Sequence, residues 1–184
     1  RVLFRSYWKY GYDRYFDSFE HYYSLYQRRN LDLWAEYADG KVTKEELNRQ
    51  RYLYPLEAVG AGDSTLAKAY ERDALTMIPT KSKLMPHARE VLEYLSGKYN
   101  LYILSNGFKE LQSHKMRSSG IDEYFKKVVL SDDIGILKPW PEIFHFALST
   151  TQSELNNSLM IGDSWENDIV GAAGVGMHQV FYNL

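Results

Sequence analysis

Over residues 81–184 short apolar runs alternate with helix-patterned segments, and this alternation limits the possible folds more than any other feature. The runs are "NLYILSNG", "KKVVLSDD", "SLMIGDS" and "HQVFYN". Between them lie "FKELQSHKMRSSG", closing at Gly120, "PEIFHFALSTT", opening on Pro141, and "NDIVGAAGVG". Each run is apolar at successive positions, which suits strands covered on both faces. Strands separated by helices predict a parallel sheet with helices on its two sides. The segment before the first run, "PTKSKLMPHAREVLEYLSGKYN", predicts a helix with Pro86 in its first turn and Gly97 at its end.

Residues 13–80 carry no strand pattern. "FDSFEHYYSLYQRRNLDLWAEYADG" spaces Phe19, Tyr22, Tyr23 and Tyr26 at helical intervals and stops at Gly40. "TKEEL" offers a capping box, with Thr43 as N-cap and Glu46 three residues on. "GDSTLAKAYERDALTMI" predicts a further helix capped by Asp63 or Ser64. Ten of the 16 tyrosines fall within the first 54 residues, so this part differs in chemistry from the rest. The predicted fold class is α/β: a Rossmann-like parallel sheet core at 81–184 with an all-helical insert at 13–80.

A length of 184 residues suits one domain, or one domain with a modest insert. The net charge is −2 with no basic block, which argues against nucleic acid as a partner. No apolar run approaches the ~20 residues of a membrane span. The opening "RVLFRSYWKY" lacks a signal-peptide pattern. Cysteine is absent, which excludes disulfides and thiolate chemistry. A cytoplasmic protein without membrane or nucleic-acid partners is the expectation.

In open parallel sheets ligands bind beyond the carboxyl ends of the strands. Here those ends carry Ser105, Asn106 and Gly107, then Ser131, Asp132, Asp133 and Lys138, then Gly162, Asp163, Ser164 and Asp168. Hydroxyl, backbone N–H and lysine are what a phosphate dianion needs. Carboxylates beside it would repel it unless a divalent cation lies between them. Oxygen-only donors suit Mg2+.

"ILSNG", "LKPWPEIF" and "MIGDSWENDIVGA" resemble the second, third and fourth motifs of the haloacid dehalogenase-like hydrolase superfamily, in order and spacing. The insert at 13–80 is similar to that family's small helical cap. The overall style resembles its phosphatases of nucleoside monophosphates, including noncanonical pyrimidine nucleotides. The resemblance implies a Mg2+-dependent phosphomonoester hydrolase acting through an aspartyl-phosphate on a small phosphorylated substrate. It implies that Ser105, the Asn106 backbone and Gly107 bind the phosphoryl group, and that Lys138 neutralises its charge. Asp163 would ligate the metal and Asp168 would orient Lys138 or a metal-bound water.

The family's first motif, Asp-x-Asp, supplies nucleophile and general acid, and it is absent from this sequence. Either the chain is a degenerate binder of phosphate, or it is a fragment; the fragment is the expectation. "RVLFRS" is encoded by CGTGTGCTCTTCCGATCT, which resembles the end of a sequencing adapter, so residues 1–12 are expected to be artefactual or truncated. The resemblance places the family's first strand between the strand ending at Ser105 and the one ending before Asp163. Without it both would leave main-chain groups unpaired or have to close the gap, and the chain is expected to be poorly stable.

Plainer readings stand beside these. Lys138 could be a loop lysine before a turn. Asp163 and Asp168 could be an N-cap and a solvated first-turn acid. Ser105 could cap the next helix, and Asp132 and Asp133 could be solvated. His87, His114, His145 and His178 show no ligand spacing, and His21 lies on the aromatic helix. Trp34, Tyr37 and Tyr54 could meet a nucleobase, although aromatics at helical spacing usually form a bundle core. Two rival functions remain open: a metal-independent 2-haloacid dehalogenase, and a non-catalytic phosphate-binding or interaction module.

Overall fold

The computed structural model describes residues 2–183. It divides into two compact units between Lys81 and Ser82. No helix among the described residues is long and apolar enough to cross a membrane.

The first unit is helical throughout: α1 (Val2–Lys9), α2 (Phe19–Ala38), α3 (Lys44–Ala58) and α4 (Ser64–Met77). Side-chain caps explain three of the starts, two of them predicted and the third, Ser18, shown by the structure. The Ser18 hydroxyl accepts the His21 N–H, and the Thr43 hydroxyl accepts the Glu46 N–H at 3.1 Å. Asp63, not Ser64, caps α4, accepting the N–H groups of Thr65 and Leu66. The helical part begins earlier than residue 13, because α1 already covers Val2–Lys9 and buries Val2 and Tyr7 in the core of this unit. Asp73 of α4 ties it down, accepting from Ser6 at 3.1 Å and pairing with Lys9 at 2.5 Å.

The crowded tyrosines are that core. Tyr7, Tyr12, Tyr22, Tyr52 and Tyr70 are fully buried, and their rings meet at tilted or edge-on angles. Tyr12 and Tyr70 lie 4.8 Å apart at their centroids. Tilted and edge-on contacts let the positive ring edge meet a negative face, worth about 0.5–1.5 kcal/mol per pair beyond area burial. Burial pushes the phenols of Tyr12, Tyr22, Tyr52 and Tyr70 above their usual 10.0. The hydroxyls that reach an acceptor find main chain: Tyr70 donates to the Leu3 carbonyl and Tyr7 to the Phe16 carbonyl.

The second unit runs α5 (Ala88–Ser96), β1 (Tyr102–Ser105), α6 (Lys109–Ser119), β2 (Lys127–Leu130), α7 (Pro141–Thr151), β3 (Leu159–Gly162), a π-helical turn (Trp165–Val170), α8 (Gly171–Gly174) and β4 (His178–Phe181). All strand pairs are parallel, with Tyr102 opposite Lys127 and Leu159 opposite His178. This is a Rossmann-like α/β arrangement, as the alternation predicts. Gly120 closes α6 at φ +61°, a conformation that a side chain would resist.

Two local expectations are corrected. Pro86 lies before α5 rather than in its first turn, which begins only after His87 at φ 61°. The last predicted helix is not regular: its first part is the π-helical turn, where a widened ring accommodates Asp168 pointing inward.

The strands also fall short of a sheet covered on both faces. They form two separate two-stranded sheets, β1–β2 and β3–β4, and the gap between β1 and β3 is not closed. Leu159 and Ile161 are consequently 54% and 53% exposed. The small core of this unit gathers Ile143, Phe144, Ala172 and Met177 between α7, α8 and the start of β4.

Candidate active site

Two strand ends and the loop before α7 converge in the second unit. A cavity of about 420 Å³ is bordered there by Ser105, Lys138, Gly162, Asp163 and Asp168. Residues distant in sequence are thus brought to one lip.

Lys138 is the centre of this arrangement. It lies in a loop, as the plain reading has it, but is only 9% exposed, so its side chain is not a solvated surface charge. Its Nζ donates to the Leu104 carbonyl at 2.9 Å and to Asp168 Oδ1 at 2.5 Å. A buried ammonium needs such partners, because an unpaired charge in a low dielectric is costly. Asp168 is equally buried, and its second oxygen accepts the Ser164 N–H at 3.1 Å. The plain alternative for Asp168, a solvated first-turn acid, is therefore not what the fold makes of it.

The Asn106 side chain holds Lys138 from behind. Its Oδ1 accepts the Lys138 N–H at 2.7 Å and its Nδ2 donates to the Lys138 carbonyl at 3.0 Å. One amide thus fixes both main-chain groups of the lysine. Ser131, fully buried, donates to the Asn106 carbonyl at 3.3 Å. The hydroxyl of Ser105 accepts the Gly107 N–H at 3.0 Å and the Gln112 amide at 2.6 Å. Ser105 does not cap α6, whose N-cap is Phe108. With both acceptor positions engaged, its O–H is left to donate.

Gly162 is required by packing. A Cβ there would lie 2.2 Å from Asp168 Oδ2, so only glycine lets the carboxylate swing across the end of β3 toward Lys138. The N-cap of the following turn is Ser164, which accepts the Asn167 N–H, and not Asp163. Asp163 is left exposed at the lip.

Asp132 and Asp133 turn to the main chain. Asp132 accepts the Lys109 N–H at the start of α6, and Asp133 accepts the Leu130 N–H. In the helical unit, Trp34 packs edge-on against Tyr37, and Tyr54 lies near the Arg29 guanidinium. His87 pairs with Glu90, and His21 lies near Asp17.

Sequence reasoning missed Gln112 and the side-chain role of Asn106, and it named Ser131 at the strand end without giving it a role. Gln112 and Ser131 belong to no motif, and their part depends on which way α6 and the β2 end face. Only Ser131 carried a signal, as a polar residue at a strand end.

Among the described residues no three acidic, histidine or cysteine side chains gather as a metal cluster. The donor set still fits a hard cation. Asp163 is an exposed carboxylate, and Mg2+ is commonly held by one or two carboxylates together with waters and substrate phosphate.

Polar residues at the carboxyl lip of a parallel α/β unit, following an all-helical unit, define the class of Rossmann-like α/β proteins. The haloacid dehalogenase-like hydrolase family model matches residues 2–176, and the chain belongs to that family. It is 30% identical over 159 residues to the pyrimidine 5'-nucleotidase YjjG of Escherichia coli K12, covering 86% of this chain and 69% of that one. It is 38% identical over 99 residues to the glyceraldehyde 3-phosphate phosphatase of Pyrococcus abyssi, covering 53% and 42%. The magnesium-bound structure of the HAD-hydrolase YfnB from Bacillus subtilis superposes with a TM-score of 0.85 at 24% identity, over 98% of this chain and 80% of that one. At that identity the likeness is one of fold.

Proposed function

We propose that the lip formed by Ser105, Lys138 and Asp163 grips the phosphoryl group of a small phosphomonoester, nucleoside monophosphates among them, together with Mg2+. The observation that carries this reading is Lys138, a buried ammonium fixed by Asn106 at the end of the sheet. A lysine ordered at that cost is not a surface charge.

Charge balance supplies the role of the metal. Asp168 already neutralises Lys138, so, apart from Lys115, which also borders the cavity, the charge left at the lip is that of Asp163. A phosphate dianion settling there would be repelled by it. A divalent cation held by Asp163 reverses the sign and polarises the phosphoryl oxygens. Ser105 then donates its O–H to one phosphoryl oxygen. Lys138 turns a proton toward another, while Asp168 holds it in place. The N-terminal end of α6 adds partial positive charge.

The sequence contains no Asp-x-Asp. In this reading the attacking carboxylate and the acid–base group come from outside residues 1–184, and this chain alone binds without turnover. The nucleotidase and phosphatase relatives support phosphomonoesters as the substrate class.

The test is a panel of phosphomonoesters, with and without chelator, on the chain joined to a strand bearing Asp-x-Asp. Phosphate release from nucleoside monophosphates, abolished by chelator and reduced about 100-fold or more in Lys138→Met, is the expected result. Chelator-insensitive release of halide from a 2-haloacid would instead establish a dehalogenase. Absence of both activities, with phosphate binding retained, would leave a non-catalytic module.

A further inference from the structure

The helical unit holds a buried cation that the phosphoryl reading does not use. Arg51 of α3 is only 8% exposed. Its guanidinium lies 5.1 Å from the centroid of the Tyr52 ring, and its Nη2 donates to Asn48 Oδ1. Its Nε is buried with no hydrogen-bond partner, and among the described residues no carboxylate pairs with it. A guanidinium carries five N–H donors, so most of them are unspent. Arg29, on the neighbouring helix, shows the ordinary arrangement. It is less buried, and both oxygens of Glu36 hold it, at 2.7 and 3.2 Å. Burying a charge without a counter-charge is costly, and no group of this chain offsets the cost at Arg51.

The surroundings repeat the pattern. Residues 39–43 join α2 to α3, and the two helices run antiparallel. Tyr26 of α2 meets Tyr52 of α3 with ring centroids 5.6 Å apart. One turn onward along α2 is Asn30, and one turn back along α3 is Asn48. Asn30 therefore stands level with Asn48, the residue that holds Arg51. The Asn30 Oδ1 and the Tyr52 hydroxyl are also buried without partners. The field is cationic. Glu71 of α4 is the acid at hand, and Arg51, Lys68 and Arg49 all act on it, but it forms no ion pair with Arg51. Burial still pushes the Glu71 carboxyl up from its usual 4.5.

We propose that the space between α2 and α3 at Asn30, Asn48 and Arg51 binds an oxyanion group, a carboxylate or a phosphate, carried by a small molecule. Charge decides the class. A neutral ligand would leave the guanidinium uncompensated, a cation would add to the repulsion, and a water molecule would satisfy one N–H without touching the charge. Shape narrows it further. The planar fork of an arginine matches two oxygens of one group, which a monatomic anion does not offer. The Tyr52 hydroxyl and the Asn30 amide each have a hydrogen bond to give or take. The proposal needs neither Lys138 nor Mg2+ and stands apart from the phosphoryl reading.

The probes are malonate and inorganic phosphate, titrated separately into the full chain with chelator present and ionic strength held constant with chloride. The readout is the magnetic-resonance signal of the Arg51 Nε–H, with the urea midpoint for helix loss as a second measure. At least one probe is expected to displace that signal to saturation and to raise the midpoint in step. Malonate acting alone makes the group a carboxylate and phosphate acting alone makes it a phosphate; either supports the site. Arg51→Lys keeps the charge but loses the fork, and is expected to bind about tenfold or more weakly. Arg51→Met is expected to show no rise in midpoint with either probe. The signal is read in the unaltered chain, so a variant that fails to fold does not remove the test. No saturable displacement by either probe overturns the proposal, as does an equal displacement by chloride. A midpoint that still rises in Arg51→Met overturns it by placing the anion elsewhere.

Discussion

At the scale of residues, the candidate site depends on one buried ion pair and the groups that position it. Lys138 and Asp168 are both nearly excluded from water and 2.5 Å apart. Such a pair need not add net stability, but removing one member strands the other. Asp168→Ala is expected to destabilise the α/β unit by about 3–5 kcal/mol, and chemical denaturation read on the exchange of β3 amides measures it. Asp168→Asn, which keeps an acceptor for Nζ, should lose less. Equal losses from the two variants would mean that packing across Gly162, rather than charge, holds Asp168 there. The lysine was legible in the sequence from its place between two other motifs. The clamp by Asn106 was not, because an amide next to a strand end gives no sign of which main chain it will meet.

At the scale of elements, the two units are held by different means. The helical unit packs tyrosines against each other, and burial raises several of their phenol pKa values above 10.0. The folded state thus keeps protons that the unfolded chain releases from about pH 10 upward. The stability these phenols contribute is complete below pH 10 and falls as pH rises toward their shifted values. Alkaline titration should accordingly show helix loss coincident with a late, steep rise of phenolate absorbance. A gradual rise beginning at pH 10 with helicity intact would contradict the buried core. The helices were legible because spacing and caps are local signals. The early start of α1 was not, because its role is to cover tyrosines that lie far along the chain.

At the scale of the whole molecule, the described core is unevenly divided. The helical unit has a continuous buried cluster from Val2 to Ala74, whereas the α/β unit gathers a few side chains around Phe144. Strands with one open edge and exposed aliphatic side chains contribute little burial. The amides of β1 and β3 are expected to exchange about 100-fold faster than those of α2 and α3. A single cooperative melt of a soluble monomer, with equal protection in both units, would contradict this. The sequence by itself determined the order of helices and strands, the parallel α/β class, the family motifs and the polar strand ends. Each follows from local propensity and from residues a few positions apart. Only the tertiary structure decided that Asp168 faces Lys138, that Asp163 stays in water, and that β1 and β3 do not close on each other. The reason is physical: these outcomes depend on burial and on main-chain hydrogen bonds between segments some 30 residues or more apart, and a one-dimensional pattern does not encode which edge of a strand will find a partner.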